Sequence, residues 1–199
     1  MKQILSIDPG LKGALAWLHY DGTLIEIEDM PVVDKRINAS LLCKLLQAYG
    51  SIDAAVIETQ QAFPKRPDGR GQGTASAFKT GVGYGILLGA LASLDIPIEA
   101  RSPAAWKRVL KLNQDKERSR RMAIDRWPGQ AYLFSRVKDE GRAEAALLGY
   151  AWLLEQKGLV TREDKQALNT SHAPLRKRVI PRFGQRPGST VEGKATPLG

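Results

Sequence analysis

The chain has 199 residues, 43% of them hydrophobic and 26% charged, a composition typical of one soluble globular domain, and its single cysteine, Cys43, excludes an intrachain disulfide. Lysine and arginine number 30 against 21 aspartate and glutamate, so the net charge of +9 favours a polyanionic partner, above all nucleic acid, over a merely soluble basic protein. The longest apolar stretch, 86–94, is too short to span a bilayer and the first residues lack a signal-peptide pattern, so we expect a cytoplasmic protein with no membrane partner.

The first half of the chain predicts three strands, then a helix, then a fourth strand. The strands, joined by short turns that suit an antiparallel meander, are expected at 2–8, 13–20 and 23–28. Asn38 or Ser40 can cap a helix that runs to about Tyr49. The segment AAVIE at 54–58 is apolar and ends in an acid, as a buried central strand does.

The second half predicts a loop, one more strand and four helices. A loop with prolines, glycines and basic residues covers 59–73, and the strand is expected at 97–100; the helices are expected at about 75–94, from Pro103, at 115–127 and at 140–157. The order indicates an α/β fold with a five-stranded mixed sheet, three strands forming an antiparallel meander and two running parallel, flanked by helices. We expect one domain over 1–158 and a flexible, basic, Pro/Gly-rich tail over 159–199.

Carboxylates end two of the predicted strands. Asp8 follows the first strand and Glu58 ends the fourth, so the two acids meet at one sheet edge if those strands are neighbours. Glu140 and Glu144 lie four residues apart on one helix face, with Asp139 just before them. The alternatives are ordinary polar strand ends and a solvated helix start whose acids suit the helix dipole. A true cluster would repel itself unless Mg²⁺ or Mn²⁺ occupied its middle, and it predicts two-metal phosphodiester hydrolysis.

Other catalytic chemistries find little support in the sequence. It contains no GxSxG or HExxH motif, and its two histidines, His19 and His172, suggest neither a triad nor a zinc site. The stretch GVGYGILLG lies inside a helical pattern and lacks the GK[ST] ending of a P-loop, so we expect no nucleotide cofactor.

Three motifs in this order, ILSIDPGLKGALA, AVIE and KDEGRAEAALL, together with SPAAWKRVLKL, closely resemble RuvC-type Holliday junction resolvases of the RNase H-like superfamily. The resemblance covers roughly residues 1–157. It implies an RNase H-like fold, a homodimer, and Mg²⁺- or Mn²⁺-dependent incision of a four-way DNA junction with two ions per site. It also implies a bacterial or phage-infected host cell as the setting.

The resemblance carries three catalytic and metal-binding acids onto Asp8, Glu58 and Glu144. The family's fourth acid or histidine stands three residues before the last acid, where this chain has Gly141. Asp139 is the candidate for that role, with Glu140 in reserve.

Basic residues near these acids are candidates for contacts with DNA. Phe63, in the loop after Glu58, can stack on a base or, alternatively, anchor the loop in the core. The candidate nucleic-acid-binding residues are Lys12, Phe63, Lys65, Arg66, Arg70, Lys79, Lys107, Lys111, Lys116, Arg120 and Arg121. The alternative interpretation is a merely solvated basic face, and it applies to Lys107, Lys111, Lys116, Arg120 and Arg121.

The sequence therefore predicts a metal-dependent endonuclease that resolves four-way or branched DNA junctions. One alternative is a broader branched-DNA or RNA nuclease on the same fold. Another is a protein that binds junctions without cutting them.

Overall fold

The structure, a computed structural model, describes residues 2–60 and 73–158. Its centre is a five-stranded sheet in the order β3-β2-β1-β6-β7. The strands are β1 (Gln3–Ile7), β2 (Ala14–His19), β3 (Leu24–Asp29), β6 (Ala54–Glu58) and β7 (Ile98–Arg101). The first three form the antiparallel meander, and β6 and β7 join as parallel strands, so the predicted fold class is confirmed.

Five helices cover the two faces of this sheet. They are α1 (Ala39–Ala48), α2 (Thr74–Ser93), α3 (Pro103–Val109), α4 (Lys116–Arg126) and α5 (Glu140–Gln156). Helices α1 and α2 contribute to the apolar core on one face, and α3, α4 and α5 contribute to the core on the other. Side chains alternate along a strand, so Ile4 and Val56 join the α5 side while Leu5 and Ile57 join the α1 side.

Each predicted helix and strand begins and ends within two residues of the observed one. At the helix starts, the capping residues explain this agreement. Asn38 caps α1 by accepting from the N–H of Leu41, and Asp115 caps α4 by accepting from the N–H of Glu117. Pro103 occupies the first turn of α3, where no intrahelical N–H is needed.

Two kinds of short element were not predicted. A small hairpin pairs β4 (Val32–Val33) with β5 (Arg36–Ile37) through a turn in which Asp34 and Lys35 have positive φ. Two-residue strands are too short to show an alternating pattern, and the turn lacks glycine. Two 3₁₀ segments, Pro128–Phe134 and Val137–Asp139, connect α4 to α5.

Helix α2 is apolar, yet much of it is uncovered. Among the described residues it is the one helix long and apolar enough, by length and composition, to cross a membrane, a test that core helices of soluble proteins also pass. Leu87, Ala90 and Leu91, in its second half, are buried in the core beneath the sheet. In its first half Phe78 and Val82 remain 72% and 45% exposed.

Candidate active site

The sheet register places Asp8 and Glu58 beside each other. Strands β1 and β6 pair in parallel with Ile7 opposite Ile57, so the next residue of each strand is an acid at the same sheet edge. Both acids continue the row of side chains that begins with Ile4 and Val56, on the face covered by α3 and α5. The Asp8 Oδ1 atom accepts a hydrogen bond of 3.3 Å from the N–H of Gly10.

Glu144 reaches the same place from α5. This helix packs against β1 and β2, and Glu144 lies on the margin of its buried stripe, with Ala143 and Ala145 fully buried on either side. The charges of Asp8, Glu58 and Glu144 act on one another, as the pKa shifts below record. The structure therefore places three of the four predicted acids near enough for their charges to interact.

Burial and mutual repulsion oppose ionisation of this cluster. Burial raises the pKa of Asp8 to about 6, with a further increase from Glu144, whereas the Gly10 N–H and Lys116 act to lower it. Burial likewise raises the pKa of Glu58 to about 7, and the negative charges of Asp8 and Glu144 add to that effect. Carboxyls with such raised pKa values are common at functional sites, where a cation can relieve the repulsion.

Two neighbours on α3 contact the acids directly. The indole Nε1–H of Trp106 donates a 2.7 Å hydrogen bond to Glu58 Oε2. The ammonium of Lys107 lies 2.6 Å from Glu144 Oε1, and both side chains are mostly buried. Sequence reasoning identified Lys107 only as a phosphate contact and assigned Trp106 to the core. No periodic signal shows that consecutive residues of one short helix contact two different acids.

Asp139 does not join the cluster. Its carboxylate, 2% exposed, accepts bonds from the backbone N–H and the guanidinium of Arg136. Burial acts to raise the pKa of Asp139, but its bonds to Arg136 outweigh that and hold the pKa below its usual range. The carboxylate of Asp139 is therefore paired with Arg136 in the turn ahead of α5.

Gly141 stands where the resembled family carries its fourth acid or histidine, and close packing explains why this chain has glycine there. A Cβ added there would overlap the carbonyl oxygen of Lys12 and lie 2.8 Å from the Cα of Gly13. The first turn of α5 therefore sits directly on the β1–β2 turn, with no room for a side chain. Glu140, the reserve candidate, is beside the cluster but pairs with Lys116 at 2.8 Å.

A groove of about 1080 Å³ opens beside Glu58. Lys107, Arg108 and Lys111 line it, and Glu58 is its single acidic residue among the described lining residues. Asn113 and Gln114 add amide groups to its wall. The described lining of the groove therefore carries an excess of positive charge and reaches one member of the carboxylate cluster, Glu58.

The other predicted DNA contacts fall into three groups. Lys12 and Lys79 are exposed, on the β1–β2 turn and on α2. Arg120 and Arg121 have intramolecular partners, the carbonyl of Ser135 and the carboxylate of Glu117. The predictions for Phe63, Lys65, Arg66 and Arg70 lie outside the described residues.

The donor set suits a hard divalent cation, because it consists of three carboxylates that supply only oxygen. Burial, and after it the negative charge of neighbouring acids, raises the pKa of Asp8 and of Glu58, so a cation at this place would be favoured. Within 2–60 and 73–158, however, no three acid, imidazole or thiol groups stand close enough together, in this arrangement, to enclose an ion. The Glu144 carboxylate is paired with Lys107, so a metal would compete with this ammonium for it.

The fold is shared with known proteins, although comparisons of sequence find no match. No family model matches the chain, and no curated protein matches it. RuvC of T. thermophilus in complex with a Holliday junction substrate superposes with a TM-score of 0.58 and 18% identity, covering 79% of this chain and 97% of RuvC. The chain has a RuvC-like fold. A second structure of Thermus thermophilus RuvC gives a TM-score of 0.56 at 18% identity, covering 78% and 96% of the two chains.

This likeness confirms the fold that the motifs predict. The mixed sheet β3-β2-β1-β6-β7 with flanking helices is the RuvC and RNase H-like arrangement. At 18% identity it shows the fold alone, so the activity rests on the site.

Proposed function

We propose that this chain is a structure-specific DNA endonuclease that resolves four-way or otherwise branched DNA junctions by metal-dependent phosphodiester hydrolysis. The observation that carries the proposal is the convergence of Asp8, Glu58 and Glu144 at one sheet edge of a RuvC-like fold. The substrate class is suggested by the neighbouring RuvC structure, which holds a Holliday junction.

Asp8, Glu58 and Glu144 would hold Mg²⁺ or Mn²⁺, and two ions per site agree with the chemistry that the sequence predicts. When bound, such ions supply the positive charge that activates the attacking water and stabilises the leaving 3′ oxygen. The protein contributes carboxylates on a rigid sheet and a buried helix, which place them more accurately than a loop does. Burial of the cluster strengthens these electrostatic effects.

The lysines beside the cluster would bind the substrate phosphate. The Lys107 ammonium pairs with Glu144, and Lys116 pairs with Glu140, so both cations are held at the rim of the cluster. When a phosphodiester enters here, each lysine exchanges its carboxylate partner for the phosphate. The two lysines would thereby orient the scissile phosphate and offset its negative charge in the transition state.

The groove beside Glu58 would carry the cleaved strand. Its cations, Lys107, Arg108 and Lys111, line the same groove as Glu58. Contacts of this kind fix the register of DNA without reading its sequence. This assignment explains part of the +9 net charge.

Resolution of a junction requires two cuts, so we propose that the enzyme acts as a homodimer. The exposed first half of α2, with Phe78 and Val82, continued by an open Gly85, is the surface that we assign to the partner copy. A dimer would present two active sites to two strands of one junction. We place this activity in the cytoplasm and propose that it needs no nucleotide cofactor.

The test is a cleavage assay with Mg²⁺ or Mn²⁺ on a synthetic four-way junction, a linear duplex and an RNA–DNA hybrid. We expect the wild-type chain to cut the junction, and the Asp8→Asn variant to bind it with equal affinity but leave it intact. Cutting of all three substrates would favour the broader nuclease. Tight junction binding with no cutting under any condition would refute the enzyme and favour a junction-binding protein.

A further inference from the structure

Glu58 is held by a neutral donor from the protein core. The indole Nε1 of Trp106 lies 2.7 Å from Glu58 Oε2, at the short end of the range for an N–H···O hydrogen bond. Among the described residues no donor is bonded to the second oxygen, Oε1. The contact therefore fixes one carboxylate oxygen, while the other has no donor among residues 2–60 and 73–158.

The indole itself has little freedom to move. Trp106 is 1% exposed and belongs to the core cluster with Val56, Leu110 and the apolar residues of α5. Its helix is fixed at the start by Ser102, whose Oγ accepts from the N–H of Ala105. The donor position is therefore set by core packing rather than by a solvated side chain.

The three acids of the cluster are supported in different ways. Glu144 pairs with a cation, Lys107, which competes with a metal for the same carboxylate. Asp8 accepts a longer bond, 3.3 Å, from the backbone of Gly10. The indole of Trp106 carries no charge, so it orients Glu58 without competing electrostatically with a cation.

We propose that Trp106 is the positioning residue of Glu58. It holds Glu58 Oε2 in one orientation, so that the carboxylate is already arranged for a divalent cation when the ion arrives. The inference rests on the proposed function, because the orientation of Glu58 matters for activity only if its carboxylate binds a ligand. Partners that orient a metal ligand typically contribute ten- to a hundredfold to metal affinity.

The chain offers a matched control in Trp152. This tryptophan is also buried, and its Nε1 donates to another glutamate, Glu99 Oε2, at 3.0 Å. Glu99 lies on the edge strand β7 and is not a member of the carboxylate cluster. Trp152→Phe therefore loses the same volume and the same kind of hydrogen bond as Trp106→Phe, away from the site.

The experiment measures Mn²⁺ affinity by titration calorimetry on the full chain, with circular dichroism to compare folding. We expect Trp106→Phe to weaken Mn²⁺ binding at least tenfold and to lower the kcat of junction cleavage with KM for the junction little changed. Trp152→Phe is expected to stay within twofold of wild type. Equal Mn²⁺ affinities for the two variants would overturn the proposal.

A second variant covers the case in which Trp106→Phe fails to fold. Benzothienylalanine at position 106 keeps the size of tryptophan but replaces the indole N–H with sulfur, and it should also weaken Mn²⁺ binding at least tenfold. Unchanged affinity in this variant would overturn the positioning role. If wild type binds Mn²⁺ and shows the expected difference but never cuts a junction, the nuclease proposal fails while the positioning role stands.

Discussion

Replacing Glu58 by glutamine should stabilise the metal-free protein at neutral pH. Burial, with the charges of Asp8 and Glu144, raises the pKa of Glu58 from 4.5 to about 7. The folded state therefore disfavours the ionised carboxylate, and glutamine removes the charge while keeping the size and an acceptor for Trp106.

The magnitude follows from the size of the shift. A change of about 2.5 pKa units corresponds to roughly 3 kcal/mol, since each unit is about 1.36 kcal/mol. Because the folded pKa is raised, the unfolded chain releases this proton first as pH increases. The cost is absent below about pH 4.5, grows between 4.5 and 7, and is complete above pH 7.

The assay is urea unfolding in EDTA at pH 5 and pH 8, followed by circular dichroism. We expect the unfolding free energy of Glu58→Gln minus that of wild type to be about 2–3 kcal/mol larger at pH 8 than at pH 5. Glu117→Gln, on the exposed surface of α4, is the control and should show no such gain. An equal difference at both pH values would refute the account of a buried, repelling cluster.

Three further predictions test the packing, the groove and the dimer. Gly141→Ala should lose roughly 2–3 kcal/mol of unfolding free energy in a urea titration, because its Cβ meets the Lys12–Gly13 backbone. The control Gly129→Ala has open space around the new Cβ and should lose about 1 kcal/mol or less. Similar losses in the two variants would contradict the close approach at Gly141. Lys111→Gln should weaken junction binding and reduce the slope of log K against log salt by about 1, and an unchanged slope would remove it from the DNA path. Phe78→Glu should convert a dimer to a monomer in sedimentation velocity while Tyr132→Glu, similarly exposed, leaves it intact; a monomeric wild type would refute the homodimer.

Much of the fold could be predicted because its signals are local. The strand Ala54–Glu58 is a short apolar run between polar residues, and its observed bounds match the prediction. Caps such as Asn38 and Asp115 mark helix starts directly in the sequence. The meeting of Asp8 and Glu58 followed from one assumption about strand order, which the parallel pairing of β1 and β6 bears out.

The remainder depends on contacts between distant segments. Two contacts that were not predicted are the bond between Asp139 and Arg136 and the packing of α5 on the β1–β2 turn at Gly141. Both are consequences of tertiary packing that no spacing in the sequence shows. The bond from Trp106 to Glu58 likewise joins residues 48 positions apart. Sequence reasoning identified acids by type and position, but it could not tell which were already paired.

The most direct test of the central claim maps the cuts in a four-way junction labelled on each strand in turn, with Mg²⁺ present. A nuclease site at Asp8, Glu58 and Glu144 predicts paired nicks at symmetrically related positions on two opposite strands, made by wild type and absent with Asp8→Asn. Cuts that persist in Asp8→Asn would contradict the assignment of the site. A junction that is bound but never nicked by the wild-type chain would contradict the nuclease itself.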